Sequence, residues 1–380
     1  MSRILLLAPE LHGIGGVERL VAGLSRLLAV THEVHVASFD APGTVPGVPL
    51  SVPYHALGGG AARPLPLRAL TYAGQVRRLR AIERRLRIDV TISNLWRADL
   101  ISALAGRDVR RVALAHINVV GNPTNRLMLR LRPIVAAAYR RLDRVVGVSA
   151  ALAAELARLY RLRPERVSAI PNFVSVPPGL AYAPKQAGRL VWCGRMVPEK
   201  SLPALVGIVA RLAAAGRAIS LDVVGDGPDR AAAERAAAAQ PGAIRFHGML
   251  ADPLPLIAQA AALALPSHSE GLPMVLLEAL ALGTPVVAAD AGGGGVHHAL
   301  GARTPHDPER MAGEAVPAGL LLPIPRDDAR CGVWAGALDD LLTDRARLER
   351  MGAAARQLAA AHTPEAVGAR WNGLIAELVA

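Results

Sequence analysis

The sequence has few cysteines, few aromatic residues and only two lysines. The two cysteines among its 380 residues show neither the paired spacing of a metal-binding motif nor a disulfide framework. This usage is typical of a reducing compartment, and we expect a cytoplasmic protein. Aromatic residues make up 3% of the chain, which argues against a surface that stacks the bases of single-stranded nucleic acid.

Long uninterrupted apolar runs are also missing. The most apolar stretch, residues 272–289, contains a glutamate and a Gly-Thr-Pro turn, and therefore predicts a buried helix, turn and strand instead of a membrane span. The short apolar run near the N-terminus is followed directly by proline and charge. We interpret it as a strand and not as a secretory signal.

Length and periodicity predict an α/β protein of two domains. The chain is more than twice the roughly 150 residues typical of one domain, and hydrophobic residues make up 52% of it. The predicted strands are 4–8, 34–39, 89–93, 112–116 and 145–149, and then 190–194, 221–225, 244–248, 262–267 and 285–290. Helical patterns lie between them, for example at 17–29, 74–87, 126–141, 150–160 and 335–361. Apolar strands that alternate with helices indicate parallel sheets covered on both faces, as in Rossmann-like, doubly wound domains.

The boundary between the halves is predicted from composition. Residues 171–188 contain four prolines and two glycines and lack helical or strand periodicity, so we place a linker at 173–188. The first domain is then 1–172 and the second 189–363. A last helix at 364–380, opened by a threonine and a proline, is expected to pack back on the first domain.

The net charge of +12 is concentrated in the first half. Residues 1–180 contain 25 arginines and no lysine against 11 acidic residues. Much of the excess lies in two segments: Arg77, Arg78, Arg80, Arg84, Arg85 and Arg87, and Arg126, Arg130, Arg132, Arg140, Arg141 and Arg144. These are either solvated helix faces or a surface attracted to an anionic membrane or acceptor. No recognition helix or zinc pattern accompanies the charge, so no nucleic-acid partner is expected.

The first chemical motif is the sequence GRMVPEK at 194–200, directly after a predicted strand. Gly194 lets the backbone approach a ligand, and Arg195 and Lys200 supply two cations that can converge on one anion. Lys200 is one of only two lysines in an arginine-rich chain. The alternative is a solvated pair of charges on a loop.

The second motif runs from Ser267 to Pro285 and reads SHSEGLPMVLLEALALGTP. Pro273 is predicted to be the first residue of a helix whose positive end points at the strand ends. Glu270 precedes this helix and Glu278 lies within its apolar pattern. Glu278 either forms a buried structural ion pair or accepts hydrogen bonds from vicinal sugar hydroxyls.

These motifs resemble those of the retaining GT-B glycosyltransferases of family 4, in which two Rossmann-like domains face each other across a cleft. The resemblance implies that Arg195 and Lys200 hold the diphosphate of a nucleotide-sugar donor, that Glu278 binds its ribose, and that Glu270 faces the donor sugar. Gly271, Leu272 and Pro273 would complete the donor site. The first domain would then bind the acceptor and the second the nucleotide sugar.

Other segments extend the resemblance. The loop LHGIGGVER at 11–19 lacks the spacing of a dinucleotide fingerprint, which disfavours an NAD enzyme. It resembles the family's glycine-rich loop, so that Gly15, Gly16 and Glu18 would lie near the phosphates. GDGPDR at 225–230 resembles the loop beside the nucleotide base, which assigns Gly225 and Gly227 to the donor site. His116 matches a histidine near the transferred sugar, or else is an ordinary core histidine.

No cofactor or metal is expected. The adjacent acidic pairs at 327–328 and 339–340 are interpreted as solvated charge, and neither His268 nor the pair His297-His298 has convincing zinc-site spacing. Residues 291–298, AGGGGVHH, depart from the Gly-Gly-x-Pro-Glu-like loop common in the family, and 299–317 is expected to be irregular. This departure bears on the donor sugar.

The sequence therefore predicts a retaining, metal-independent transferase. It would move a hexose or N-acetylhexosamine from a UDP-sugar, or alternatively a GDP-sugar, to a hydroxyl of a glycan or lipid-linked acceptor, in cell-surface polysaccharide or glycolipid assembly. Its Arg-rich first domain would place it peripherally on the inner face of the cytoplasmic membrane. The alternatives are a nucleotide-sugar epimerase and a catalytically silent binding protein on the same scaffold.

Overall fold

A computed structural model describes residues 1–13, 15–59, 65–117, 129–240 and 242–380. The chain divides into two compact units. Unit 1 consists of Met1–Asn172 together with Pro364–Ala380, and unit 2 of Phe173–Thr363.

The strands alternate with helices throughout both units. Unit 1 contains β1 (Arg3–Ala8), β2 (Glu33–Ser38), β3 (Tyr54–Ala56), β4 (Val90–Asn94), β5 (Arg110–Ala115), β6 (Arg144–Gly147) and β7 (Val167–Ala169). Unit 2 contains β8 (Gln186–Cys193), β9 (Ser220–Val224), β10 (Ile244–Gly248), β11 (Ala260–Leu265), β12 (Val286–Ala289), β13 (Glu314–Val316) and β14 (Gly319–Leu322). Every predicted strand is present, whereas β3, β7, β13 and β14 have only three or four residues and were not predicted.

The helices of the described residues run in the same alternation. They are α1 (Gly16–Leu28), α2 (Leu65–Leu86), α3 (Trp96–Leu104), α4 (Arg132–Tyr139), α5 (Ala150–Tyr160), α6 (Leu202–Ala214), α7 (Arg230–Ala237), α8 (Leu254–Gln259), α9 (Met274–Ala281), α10 (Gly295–Ala299), α11 (Asp328–Thr343), α12 (Arg345–Ala359) and α13 (Pro364–Val379). None of the helices in the described part of the chain combines the length and apolar character needed to cross a membrane.

Several predicted boundaries were wrong. The single helix expected at 335–361 is two helices, because Asp344 interrupts it and its side chain accepts a hydrogen bond from the backbone N–H of Arg347. Strand β8 begins at Gln186, inside the expected linker. The expected irregular segment 299–317 contains β13. The start of the helix expected at 126–141, with Arg126, lies outside the described residues.

Each unit is built on one seven-stranded sheet. In unit 1 the order is β3-β2-β1-β4-β5-β6-β7, with every pair parallel. In unit 2 the order is β10-β9-β8-β11-β12-β14-β13, parallel except for the β13–β14 pair. The chain therefore reverses its direction of travel across the sheet between β1 and β4 and between β8 and β11. The predicted class of two doubly wound α/β sheets is confirmed, and ligands of such sheets bind beyond the carboxyl ends of the strands at these switch points.

The cores consist mainly of aliphatic side chains, because the chain has so few aromatic ones. Every residue of β11 is buried, as expected for a central strand covered on both faces. Trp192 and Trp334 are the largest fully buried side chains of unit 2, and the Trp334 indole donates to the carbonyl of Pro323 at 2.7 Å. In unit 1, Trp371 of α13 is buried among the other elements.

Candidate functional site

Three loops meet at the carboxyl edge of the unit 2 sheet. They follow β8, β9 and β11, which are neighbours, and β8 and β11 flank the switch point. The backbone N–H of Met196 donates to the carbonyl of Asp226 at 2.8 Å, and the N–H of Asp229 donates back to Met196 at 2.9 Å. On the other side, the N–H of His268 donates to the carbonyl of Glu199 at 2.8 Å. The loop that carries GRMVPEK is thus held from both sides.

Two glycines make this close packing possible. Gly225 has φ +130°, and a Cβ atom there would overlap the carbonyl oxygen of Gly194. Gly227 has φ +152°, and its Cβ would lie 2.5 Å from the carbonyl oxygen of Met196. Both positions combine a backbone conformation that favours glycine with a neighbour that leaves no room for a side chain. The structure therefore brings predicted residues Gly194, Gly225 and Gly227 to one place.

The two predicted cations have different surroundings. The side chain of Arg195 is exposed and makes no hydrogen bond or ion pair with any other described residue. Lys200 lies in a single 3₁₀ turn, Pro198–Lys200, and its Nζ is 2.6 Å from Oε1 of Glu270. The side chains of Lys200 and Glu270 are 23% and 9% exposed. An anion that binds at this edge finds Arg195 available and Lys200 already paired.

Three serines that are close to Lys200 or Glu270 in the sequence have buried hydroxyl groups. The Oγ atoms of Ser201, Ser267 and Ser269 are buried and have no hydrogen-bond partner within the described part of the chain. Ser201 follows Lys200 directly, and Ser267 and Ser269 precede Glu270. Buried hydroxyls without partners are rare in folded proteins, because each forfeits a hydrogen bond that water would supply. All three lie within three residues of Lys200 or Glu270 in the loops that follow β8 and β11.

Helix α9 follows this loop. The prediction that Pro273 is its first residue was wrong by one position: Pro273 caps the helix with an extended backbone, and α9 begins at Met274. Gly271 and Leu272 are buried in the turn before it. Glu278 is buried in the second turn, as its apolar sequence context predicts. The N-terminus of α9 lies directly after the loop that carries Glu270, so its partial positive charge lies at the strand ends.

The glycine-rich segment after β12 reaches the same edge. Gly292 pairs with Ser269 in an isolated parallel bridge. The segment then enters the short helix α10, whose His297 is buried while its neighbour His298 is exposed. His297 is brought to Asp290 and His306, a grouping that the sequence did not predict.

At the corresponding edge of unit 1, the side chain of Glu18 packs against the glycine-rich loop. A Cβ atom at Gly15 would lie 2.6 Å from Oε2 of Glu18, so the carboxylate rests against the loop backbone. Gly15 caps helix α1, while Gly16 has open space around its Cβ position. The geometry requires glycine at neither position, because the atoms nearest to the Cβ position of Gly15 all belong to the flexible side chain of Glu18.

His116 lies just beyond β5 and contacts Asn94, the last residue of β4, which flanks the switch point of unit 1. Nε2 of His116 is 3.0 Å from Oδ1 of Asn94, whose Nδ2 donates to the carbonyl of Leu7 at 3.2 Å. Because the Asn94 oxygen can only accept, His116 carries its proton on Nε2 and presents Nδ1 as an acceptor. Burial lowers the pKa of His116 to about 4, which keeps the ring neutral at pH 7.

Two further features of this edge were not predicted from the sequence. Leu95, next to Asn94, has φ +69°, a conformation that is strained for a branched side chain. His12, in the loop after β1, has Nδ1 2.8 Å from Oδ1 of buried Asp40, which follows β2. The hydrogen bond to Asp40 raises the pKa of the exposed His12 imidazole. Strand-end position was the one sequence signal that could have found His12 and Asp40.

Comparisons with known proteins identify similar glycosyltransferases. A family model described as "Glycosyl transferases group 1" matches residues 187–316, and one described as "Glycosyltransferase Family 4" matches residues 14–176. Over 183 residues the chain is 36% identical to a 2-deoxystreptamine glucosyltransferase of Streptomyces kanamyceticus, covering 42% of this chain and 47% of that protein. Over 250 residues it is 32% identical to a D-inositol 3-phosphate glycosyltransferase of Nocardia farcinica, covering 59% and 51%. The chain spans about half the length of these curated relatives.

Solved structures share the fold over the whole chain. Sucrose-phosphate synthase from Thermosynechococcus elongatus has a TM-score of 0.75 at 20% identity, covering 100% of this chain and 99% of that one. The Anabaena protein HepE, solved in complex with UDP and glucose, has a TM-score of 0.75 at 16% identity, covering 99% and 100%. At these identities the likeness is one of fold.

Proposed function

The chain belongs to the group 1 glycosyltransferases of family 4, and from this premise we propose that it transfers a sugar from a nucleoside-diphosphate sugar to a hydroxyl group. The sugar is a hexose or N-acetylhexosamine, and the acceptor is a glycan or a lipid-linked acceptor in cell-surface polysaccharide or glycolipid assembly. We favour a UDP-sugar donor, since the HepE structures of the same fold were solved with UDP and with UDP-glucose.

The observation that carries the proposal is Arg195, an exposed cation without a partner among the described residues, which lies in the same group of loops as the Lys200–Glu270 ion pair and three buried serine hydroxyls. A nucleoside-diphosphate sugar offers the complementary chemistry: a dianionic diphosphate for Arg195 and Lys200, and hydroxyl and phosphate oxygens for the buried serines. The amides at the start of α9 add partial positive charge. Glu278 is the proposed acceptor for the ribose hydroxyls.

The proposed chemistry follows from where charge develops. Cleavage of the sugar–diphosphate bond leaves negative charge on the diphosphate, and preorganised cations and amides stabilise such charge in the transition state. Arg195, Lys200 and α9 can supply this stabilisation without a divalent metal ion, so we propose metal-independent transfer. We further propose retention by a same-face route, in which the leaving phosphate accepts the proton of the acceptor hydroxyl and Glu270 orients the donor sugar.

His116 is the proposed residue of unit 1 for this reaction. Its neutral ring and fixed tautomer suit a hydrogen bond to a hydroxyl group, which needs an acceptor at a defined position. An imidazolium at this position would lack the acceptor nitrogen. The Gly15–Glu18 loop is the second proposed donor-side element of unit 1.

Donor screening followed by a transfer assay tests this function. A thermal-shift screen of nucleoside-diphosphate sugars should select one donor class, since a ligand at 100 times its dissociation constant adds roughly 2.7 kcal/mol of stability. The selected donor should then release nucleoside diphosphate only when acceptor is added, at the same rate with and without added Mg²⁺ or Mn²⁺. Conversion of donor without acceptor would indicate an epimerase, and binding without turnover over a broad acceptor panel would indicate a silent binding protein.

A second proposal concerns location. Arg77, Arg84 and Arg85 are exposed on α2, and Arg132 is exposed on α4. Exposed arginines in an arginine-rich domain suit a surface that is attracted to an anionic bilayer, and we propose peripheral association with the cytoplasmic membrane. Sedimentation with anionic vesicles that weakens as salt rises would support this, whereas equal binding to neutral vesicles would contradict it.

A further inference from the structure

Three side chains suited to metal binding converge after strand β12. Asp290 follows the strand, His297 lies in α10, and His306 lies in the segment beyond. Nδ1 of His306 is 2.6 Å and Nδ1 of His297 is 3.2 Å from the same carboxylate oxygen, Oδ1 of Asp290. Asp290 and His297 are buried, and the His306 side chain is 26% exposed.

The hydrogen bonds of His297 leave two acceptor atoms, Nδ1 of His297 and Oδ1 of Asp290, facing each other. Nε2 of His297 is 2.8 Å from the carbonyl oxygen of Thr304, which can only accept, so Nε2 carries a proton. In the neutral ring Nδ1 then has a lone pair, and this lone pair faces Oδ1 of Asp290, which is also an acceptor. Two acceptors at this distance require a cation between them, either a proton or a metal ion.

The remainder of the arrangement is that of an oriented metal ligand. Oδ2 of Asp290 accepts from the backbone N–H of Asp307 at 3.1 Å and from Arg310 at 2.9 Å, and Arg310 also contacts Glu314 at 2.9 Å. These contacts fix the carboxylate and leave Oδ1 turned toward the two imidazoles. A metal-binding histidine usually donates its other ring N–H to a carbonyl or carboxylate, as His297 does to Thr304.

We propose that Asp290, His297 and His306 bind a divalent transition-metal ion, with Zn²⁺ as the best-suited ion. Two imidazole nitrogens and one carboxylate oxygen form a ligand set found for Zn²⁺ with a water molecule in the fourth position. Zn–ligand distances of about 2.0–2.2 Å in a tetrahedral site separate the ligand atoms by about 3.3 Å. The His297–Asp290 distance of 3.2 Å matches this value, the His306–Asp290 distance of 2.6 Å has to lengthen, and the ligand atoms of the three residues already lie within 4.8 Å of one another. Its partial exposure provides both the entry path and room for the water.

The local charge permits the ion. Asp290 and Glu314 carry two negative charges against the one positive charge of Arg310, and Arg310 is directed at Oδ2 instead of at the proposed site. The dication therefore enters a site whose nearest charged groups are net negative. Such neutralisation is what a partly buried metal ion needs, because its desolvation must be offset by ligand charge.

The proposed role of the ion is to stabilise the glycine-rich segment 290–297 in one conformation. Gly292, which pairs with Ser269, lies between Asp290 and His297 in the chain. Binding Asp290 to His297 closes a loop of eight residues, 290–297, that contains four consecutive glycines and would otherwise be costly to order. The ion would thus be structural, and its binding does not depend on the proposed transfer reaction.

Metal titration of the full chain, expressed without a histidine tag and freed of metal by chelator, tests the proposal. Calorimetry with Zn²⁺ should show one ion per chain, and Co²⁺ should give the visible absorption of a four-coordinate site. His306→Ala should weaken Zn²⁺ binding by at least about 100-fold and abolish the Co²⁺ spectrum. His298→Ala is the matched control, since His298 is adjacent to His297 but exposed, and it should bind like the unmodified chain.

His306 is the variant of choice because it is partly exposed, and Asp290→Asn serves as the second variant. Circular dichroism and the melting temperature in chelator confirm that each variant is folded. Absence of stoichiometric Zn²⁺ binding to the folded, unmodified chain would overturn the proposal and leave a proton as the cation between His297 and Asp290. Equal loss in His298→Ala and His306→Ala would also overturn it, because it would indicate adventitious surface binding.

Discussion

Replacement of Arg195 and of Lys200 by alanine should have different consequences, although both residues are proposed to hold the donor diphosphate. Arg195 is exposed and unpaired among the described residues, whereas Lys200 neutralises Glu270 at 2.6 Å. Glu270 is only 9% exposed in its side chain, so it cannot turn to water when Lys200 is removed. Lys200→Ala should therefore destabilise unit 2, and Arg195→Ala should not.

The expected magnitudes separate the two variants clearly. Removal of one partner from a buried ion pair costs about 3–5 kcal/mol, and the partial exposure of Lys200 places Lys200→Ala near the lower end, at about 3 kcal/mol. Arg195→Ala should change the free energy of unfolding by no more than about 0.5 kcal/mol, as is usual for exposed positions. Each cation that contacts a phosphate contributes about 1.5–3 kcal/mol, so either variant should weaken UDP binding roughly 10- to 150-fold.

A double-mutant cycle isolates the ion pair. Glu270→Gln leaves the partly exposed ammonium of Lys200 in contact with a neutral acceptor, and should cost about 1 kcal/mol. Combined with Lys200→Ala it removes the buried unpaired charge, so the double variant should be less destabilised than the sum of the single variants by about 1–2 kcal/mol.

Urea unfolding and UDP calorimetry on the four proteins provide the measurements. Additive losses of stability for Lys200→Ala and Glu270→Gln would refute the ion pair. Full UDP affinity in a folded Arg195→Ala variant would refute the diphosphate site, because no loss of stability could mask that result.

Three further predictions concern packing and pH. Gly225→Ala should destabilise unit 2 by about 3 kcal/mol in urea unfolding, because its Cβ would overlap the carbonyl of Gly194; Gly207→Ala, in open space within α6, should instead be neutral or stabilising by up to about 1 kcal/mol. Burial raises the pKa of Asp99 to about 7, although two hydrogen bonds to its carboxyl group act in the opposite direction. Below pH 7 the folded chain therefore keeps a proton that the unfolded chain releases. This contribution to stability is lost as pH rises through 7. Asp99→Asn should therefore stabilise by about 1–3 kcal/mol at pH 8 and by less at pH 5, and a larger gain at pH 5 would contradict it. The pKa of His116 is lowered to about 4, so between pH 6.5 and 4 the unfolded chain takes up a proton that the folded chain excludes; stability should fall by about 2–3 kcal/mol over this range, and His116→Gln should remove this part of the acid sensitivity.

The regular part of the fold could be predicted because parallel, doubly covered strands leave a strong pattern. The buried strand β11, for example, is entirely apolar over six residues. The strands that were missed, such as β3 and β13, have three residues each and lie at the edges of the sheets, where a pattern of period two has no room to show. Asp344, which separates α11 from α12, is a helix-capping residue within an otherwise continuous helical composition.

The positions of the candidate residues at the ends of strands could be predicted from the sequence, but the pairing of their side chains could not. The sequence shows that Arg195, Lys200 and Glu270 follow strands, and strand-end position in a doubly wound sheet is where ligands bind. It does not show that Lys200 and Glu270, seventy positions apart, come within hydrogen-bond distance. The same holds for His12 and Asp40, which follow β1 and β2 and meet because those strands are neighbours.

The pairing of Lys200 with Glu270 changes what donor binding must achieve. A diphosphate that recruits Lys200 takes it from a carboxylate that is almost fully buried, and the carboxylate then needs a new hydrogen-bond donor. The hydroxyls of the donor sugar are such donors, so the proposed functions of Lys200 and Glu270 are coupled: a nucleotide alone would leave Glu270 without a partner. Nucleoside diphosphate should therefore bind more weakly than the complete nucleotide sugar. Glu270→Gln, which removes the buried charge, should reduce that difference, and an unchanged ratio of the two affinities would show that the ion pair is not exchanged on binding.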